Sequence, residues 1–194
     1  MNSAAPISPM RQSRITKASP VFMARLAGIF YVINIVTSIA AMYGGNHLLA
    51  SIAGPIAAAS YAAVSVLFYF LFWPVSRNIS LVAVLLSLSI IVYGFISSPH
   101  FLPSPVNPLV YDGFYCILIG YLIFRSTFLP RFLGALMALA GLGYITLAYP
   151  PLGNYLMNPY IFITGGVGEG LLTLWLLVKG VNAQRWKDRE ASLS

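Results

Sequence analysis

The sequence contains few charged residues. Only 8% of its 194 residues are charged, and just four of them are Asp or Glu. A soluble domain carries about a quarter charged residues, because its surface must face water. Here 59% of the residues are hydrophobic and the mean hydropathy is +0.83, so the surface is expected to face the lipid bilayer. The net charge of +7 does not indicate a nucleic-acid partner, because no basic stripe is interleaved with aromatic residues.

Cysteine and histidine are scarcer still. Cys116 is the single cysteine, which excludes an intramolecular disulfide and a zinc site made of several thiolates. The sequence also contains no phosphate-binding glycine loop, no dinucleotide fingerprint and no HExxH motif. We therefore expect no cofactor and no metal. The same absences argue against an enzyme without deciding the question.

Six apolar runs occupy most of the chain. Each approaches the roughly 20 residues that cross a hydrocarbon core of about 30 Å. None alternates as a barrel strand would, so helix is the expected form. The prediction is an all-α, six-helix transmembrane bundle over residues 21–181, between a disordered tail at 1–20 and a second tail at 182–194. The runs are residues 22–43, 57–73, 80–97, 109–124, 132–149 and 160–178.

The cations are distributed on one side of these runs. The connections at 44–56, 98–108 and 150–159 contain none. Because Lys and Arg are retained in the cytoplasm, both termini are predicted to be cytoplasmic. The eleven cations are Arg11, Arg14, Lys17, Arg25, Arg77, Arg125, Arg131, Lys179, Arg185, Lys187 and Arg189.

Several motifs in the carboxyl-terminal half carry a family resemblance. They are GYLIFRS at 120–126, LPRFLG at 129–134, LAGLGY at 139–144, GE at 168–169 and LWLLVKGV at 174–181. These motifs resemble the bacterial membrane family known as domain of unknown function 4386. The resemblance implies a six-helix protein of the bacterial inner membrane and implies no activity. Members of the family often carry an arginine where this chain has Ser87.

Glu169 is the carboxylate expected deepest in the bilayer. It lies ten residues before Lys179, which corresponds to about 15 Å at about 1.5 Å per residue. A charge at this depth costs at least ~2.5–3.5 kcal/mol, so such residues are candidates for function. Asn34 and Ser87 fall at a similar depth when counted from the nearest arginine. The three could line a midplane pocket or form interhelical hydrogen bonds.

Four glycines surround Glu169. Gly165, Gly166, Gly168 and Gly170 would let another helix approach closely, or would allow a hinge.

A second polar group is predicted near the outer surface. Asp112, His47 and His100 fall there, but their spacing matches no zinc motif. The plain interpretation of Asp112 is a carboxylate stabilised by the helix dipole. At the opposite surface, Arg125 and Arg131 could contact an anionic lipid headgroup or could simply fix the topology.

Three functions remain open. The first is a small proton- or cation-coupled carrier that uses Glu169. The second is a non-enzymatic structural module, in which small residues of the fifth and sixth spans would hold a homo-oligomer or a membrane partner. These residues are Gly134, Ala138 and Gly141 in the fifth span and Gly166 and Gly170 in the sixth. The third, and weakest, is an intramembrane enzyme acting on a lipid or quinone, for which no convergent acid, base and nucleophile were found.

Overall fold

Helices form wherever the sequence is apolar. The computed structural model describes residues 19–45, 47–96 and 107–193, and this part of the chain contains no strand. The all-α, six-span prediction is confirmed, because six helices are long and apolar enough to cross a membrane. The helices are α1 Pro20–Tyr43, α2 His47–Phe72, α3 Arg77–Ile96, α4 Pro108–Arg125, α5 Arg131–Ile145, α6 Pro150–Leu156, α7 Phe162–Val178 and α8 Ala183–Ala191.

The sixth span is entered through an irregular segment. Pro150 begins the short helix α6, where a missing N–H is tolerated. A π-helical turn, Met157–Ile161, then joins α6 to α7. It contains Pro159, which cannot donate a backbone hydrogen bond, so the regular α-helical pattern is interrupted there.

The six spanning helices form a closed ring. Each packs against two neighbours, in the order α1, α2, α3, α4, α5, α7 and back to α1. Phe68, Tyr115, Leu133 and Leu172 are among the side chains buried inside. The outer surface is apolar as well, with residues such as Val36 and Leu174 exposed, as expected for a surface in lipid.

The segment after residue 182 folds onto the ring. Asn182 caps α8, since its side chain accepts a hydrogen bond from the Arg185 backbone N–H at 3.1 Å. Trp186 is only 6% exposed, and its Nε1 donates to the Leu71 carbonyl at 2.8 Å. Most of the predicted tail at 182–194 is therefore a helix packed against the end of α2. The predicted tail at 1–20 lies almost entirely outside the described residues.

Candidate functional site

Glu169 lies inside the ring and is held by two tyrosines. The Tyr144 hydroxyl, from α5, donates to Oε1 at 2.8 Å. The Tyr31 hydroxyl, from α1, donates to Oε2 at 3.2 Å. Both carboxyl oxygens of this half-buried acid thus have a hydrogen-bond partner, as is usual for polar groups removed from water.

The neighbouring glycines explain how Tyr144 reaches the acid. Gly165 lies one turn before Glu169, and a Cβ at this position would overlap with the Tyr144 hydroxyl. Gly168 lies against α5, where a Cβ would be 2.8 Å from the Leu136 carbonyl oxygen. Gly166 and Gly170 have no such neighbour within 4 Å. The glycine run therefore belongs to a continuous helix that α5 approaches on one side.

A second carboxylate meets Glu169 inside the ring. Asp112, on α4, accepts a hydrogen bond from the Tyr61 hydroxyl of α2 at 2.6 Å. A carboxyl oxygen of Asp112, the sulfur of Cys116 and a carboxyl oxygen of Glu169 all lie within 4.8 Å of one another. Helices α4 and α7 thus bring two acids and a thiol together.

The electrostatics of this pair require a compensating charge. Two ionised carboxylates at this separation would repel by about 3–4 kcal/mol even at an effective dielectric constant of ~20. Among the described residues, the side-chain donors to the two acids are the hydroxyls of Tyr31, Tyr61 and Tyr144. Hydroxyl groups do not neutralise a second negative charge. A shared proton or a bound cation would.

A cavity leads to Asp112 from the half of the ring farthest from the cations. Its volume is about 420 Å³, and it lies between α1, α2, α3 and α4. The lining is mainly apolar, with polar groups from Asn34, Ser38, Tyr61 and Asp112. One of the two acids is therefore reached from this end of the bundle.

Asn34 and Ser87 have other partners. The Asn34 side-chain amide donates to the Ala57 carbonyl at 3.0 Å and lines the same cavity as Asp112. Ser87 is fully buried on α3 and donates to the Val84 carbonyl of its own helix at 2.8 Å. Helix α3 stands opposite α7 in the ring. The structure thus brings Asn34 to the cavity and satisfies Ser87 locally.

Asp112 and His47, the two described residues of the predicted outer site, are separated. Asp112 lies with Cys116 and Glu169, His47 is exposed at the start of α2, and His100 falls outside the described residues. The cap of α4 is Asn107, whose side chain accepts from the Leu109 N–H at 3.0 Å. Asp112 is the fifth residue of α4, and its carboxylate accepts a hydrogen bond from Tyr61.

The proximity of Asp112 to Glu169 had a signal in the sequence. Asp112 precedes Arg125 by thirteen residues, so it lies about 20 Å from the cationic end of its helix. The corresponding depth of Glu169 is about 15 Å, within one helical turn. Depth alone, however, does not say which helices are neighbours.

The trio also has the ligand types of a metal site. Thiolate and carboxylate ligands both suit zinc, which in open sites takes three protein ligands and a water molecule. Asp112, Cys116 and Glu169 could supply those three. The hydroxyls of Tyr61 and Tyr144 now donate hydrogen bonds to these carboxylates. On metal binding they would have to share the carboxylate oxygens with the metal or give up those hydrogen bonds.

Arg125 and Arg131 lie at the surface next to aromatic rings. The Arg125 guanidinium is 6.0 Å from the centre of the Tyr121 ring, and that of Arg131 is 5.7 Å from the Phe124 ring. Both side chains are exposed. They are thus placed at the end of the bundle where the cations gather.

Comparisons with known proteins agree with the motifs. A family model described as "Domain of unknown function (DUF4386)" matches residues 106–180, the segment that contains Asp112, Cys116, Tyr144 and Glu169. An uncharacterised protein of Archaeoglobus fulgidus is 35% identical over 128 residues, which cover 60% of this chain and 75% of that protein. No solved structure matches. The chain is a multi-pass membrane protein by its six apolar helices, and it belongs to the family of domain of unknown function DUF4386.

Proposed function

We propose that this protein is a small proton-coupled carrier in which Asp112 and Glu169 exchange a proton. The observation that carries the proposal is the approach of the two carboxylates to within 4.8 Å inside the ring, with one of them lining the cavity. Because only one charge can be accommodated cheaply there, protonation of the pair is coupled to whatever else enters the cavity.

The cation distribution supports an orientation for this carrier. With both termini in the cytoplasm of a bacterial inner membrane, the cavity opens away from the cytoplasm. The cytoplasmic half of the ring interior is filled by apolar side chains such as Phe68, Leu122 and Leu176. A carrier requires that its binding site be open to only one side of the membrane at a time, whereas a channel does not.

The cavity favours a small cargo. A volume of about 420 Å³ falls in the range of small-molecule pockets, and its walls are mostly apolar. Asp112 and Asn34 are among the polar groups that would orient a solute in it. A neutral or cationic solute fits this lining better than an anion, because Asp112 would repel a negative charge.

Proton flux tests the role of the acids. Proteoliposomes loaded with a pH-sensitive dye are given an inside-negative potential, and proton entry is followed in wild type, Asp112→Asn and Glu169→Gln. We expect flux above that of protein-free liposomes in wild type, and at least a tenfold reduction in both variants. Asp188→Asn, which changes an acid of α8 outside the ring, is the matched control and should equal wild type. Wild-type flux above that of empty liposomes that is unchanged in both variants would contradict the role proposed for the two acids.

Alternating access separates a carrier from a rigid module. Single cysteines at Gly94, which lines the cavity, and at Leu176, which is fully buried near the cationic end, are made in a Cys116→Ser background. A carrier predicts labelling of position 94 by an impermeant maleimide from the outer side, and slower labelling of position 176 from the cytoplasmic side. A rigid module predicts no labelling at position 176.

A structural module remains the second candidate function, but the surface that could hold a partner is reduced to part of α7. Gly134 and Gly141 contact α4 within the same chain, so they are not free to hold another subunit. Gly166 is exposed on α7, and neither it nor Gly170 has a neighbour within 4 Å of an added Cβ. These two glycines are the small residues that a partner helix could approach.

A further inference from the structure

The cationic end of the bundle contains a second cavity, which is open to the surroundings. A cavity of about 350 Å³ lies between the loop that joins α4 to α5, the end of α7 and the start of α8. Its polar lining comes from Thr127, Lys179, Asn182 and Arg185, and Trp175 forms part of its wall. The lining contains two cations and no carboxylate.

Three long-range hydrogen bonds hold the walls of this cavity in place. The Asn182 N–H donates to the Phe128 carbonyl at 3.1 Å. Arg185 Nη1 donates to the Thr127 carbonyl at 3.2 Å. Trp186, next in the chain, anchors α8 through its bond to the Leu71 carbonyl. The cations are therefore positioned by folded structure, rather than carried on a free tail.

The guanidinium groups in this region have donors to spare. A guanidinium offers five N–H donors, and the Thr127 carbonyl engages one nitrogen of Arg185. A smaller adjoining cavity of about 240 Å³ shares Thr127 and Arg185 and adds Arg189. The Nε of Arg189 is buried and has no hydrogen-bond partner within the described part of the chain. Asp188, the acid at this smaller cavity, accepts a hydrogen bond from Gln184 at 2.9 Å. A buried donor without a partner favours an acceptor group from outside the chain.

The cavity also lies next to surface that suits acyl chains. Trp175 packs edge-on against Phe132, with ring centres 5.8 Å apart, as in an interfacial aromatic belt. Phe132, Leu174 and Val178 are exposed large apolar residues of α5 and α7. A molecule with its phosphate in the cavity could lay its hydrocarbon along these helices.

We propose that Lys179 and Arg185, with Arg189 at the adjoining cavity, bind the phosphate group of an anionic phospholipid. Basic pockets beside transmembrane helices are suited to such headgroups, and guanidinium binds phosphate through paired donors. The site is separate from the carboxylate pair, so it stands or falls independently of the carrier proposal.

Lipid titration of the full-length protein in neutral detergent tests the site. Short-chain phosphatidylglycerol, short-chain phosphatidylcholine and inorganic phosphate are titrated separately, and binding is followed by the shift of the thermal unfolding midpoint. The comparison is between wild type, Lys179→Gln/Arg185→Gln and the control Arg77→Gln/Lys187→Gln. The control pair removes the same charge from the same end of the bundle, at positions that line neither basic cavity.

We expect phosphatidylglycerol to bind wild type at least tenfold more tightly than phosphatidylcholine. The Lys179/Arg185 variant should lose at least tenfold in affinity, and the control pair less than twofold. Equal losses in both pairs, or no preference for phosphatidylglycerol, would overturn the proposal. Binding of inorganic phosphate alone, with no response to phosphatidylglycerol, would overturn the lipid assignment in favour of a free anion. If the double variant does not fold, Lys179→Gln alone, an exposed position, should still weaken phosphatidylglycerol binding by at least threefold.

Discussion

The two halves of the ring use glycine in opposite ways. Where α4 meets α5, Gly120 faces Gly134, and a Cβ at either position would come within 2.7 Å of the other's carbonyl oxygen. Gly113 and Gly141 repeat this arrangement two turns away. Around the outer cavity, Gly54 has no neighbour within 4 Å of an added Cβ. We call the contact between α4 and α5 the closed seam, because its glycines let the two backbones touch. We call the border of α2 and α3 along the cavity the open seam, because its glycines Gly54 and Gly94 leave space unfilled.

This difference assigns separate tasks to the two regions. Close backbone approach gives α4 and α5 a large dispersion contact, which is the main source of helix association in lipid. The rigid seam fixes Asp112 and Tyr144 on adjacent helices, and so sets the positions from which they meet Glu169. The open seam leaves the cavity that reaches Asp112.

The largest effect is expected from filling the closed seam. Gly120→Ala should destabilise the protein by about 1–3 kcal/mol, because the added methyl group would meet the backbone of α5. Gly94→Ala, at the open seam, should be neutral or stabilising by up to ~1 kcal/mol. Unfolding in mixed detergent micelles measures both. Equal stability of the two variants would contradict the claim that the α4–α5 contact is closely packed and the border of the cavity is not.

A smaller loss of stability is expected from a change at Gly165, where Tyr144 of α5 reaches Glu169. Gly165→Ala should displace the Tyr144 hydroxyl from Glu169 and cost about 1–2 kcal/mol, since a flexible ring can move but a hydrogen bond is lost. Gly166→Ala is the matched control, one residue away and without a close neighbour. The carbonyl stretch of Glu169 in infrared spectra should shift in the first variant and not in the second. A shift in both, or in neither, would contradict this account.

The tyrosine hydroxyls should each contribute modestly. Tyr144→Phe and Tyr61→Phe are each expected to cost about 1 kcal/mol, because each leaves a half-buried carboxyl group with one fewer donor. Tyr155→Phe, at a side chain that is 75% exposed, should change the unfolding free energy by less than ~0.5 kcal/mol. The carboxylate pair would not depend on these donors if all three variants were equally stable.

The smallest effect on stability is expected from filling the open seam. Gly54→Leu places a side chain in the cavity and should change the unfolding free energy by less than about 1 kcal/mol, since an added Cβ meets no atom within 4 Å and the cavity of about 420 Å³ can take the rest of the side chain. It should nevertheless reduce thiol labelling of Asp112→Cys, made in a Cys116→Ser background, at least fivefold. Unchanged labelling would mean that Asp112 is reached by another route.

Hydropathy predicted the helices more reliably than their ends. The second run was expected to begin at residue 57, but α2 begins at His47 and continues through Pro55. A proline inside a soluble helix usually marks a boundary, whereas a spanning helix tolerates it when neighbouring groups satisfy the backbone. Similarly, residues 182–194 were expected to form a tail, whereas Ala183–Ala191 form α8 and Trp186 anchors this helix to the Leu71 carbonyl.

The amino-acid sequence is enough to predict the six spans, because lipid demands long apolar helices, and it gives the position of each residue along its helix at about 1.5 Å per residue. The family could also be identified from motifs of the last three spans. Which residues at a shared depth meet depends on how the helices pack. The order of helices around the ring, set by close contacts such as that of Gly120 with Gly134, brings Asp112 to Glu169 and leaves Ser87 bonded within its own helix. Depth is a one-dimensional property that a helix inherits from its sequence, whereas adjacency depends on how all six helices pack at once.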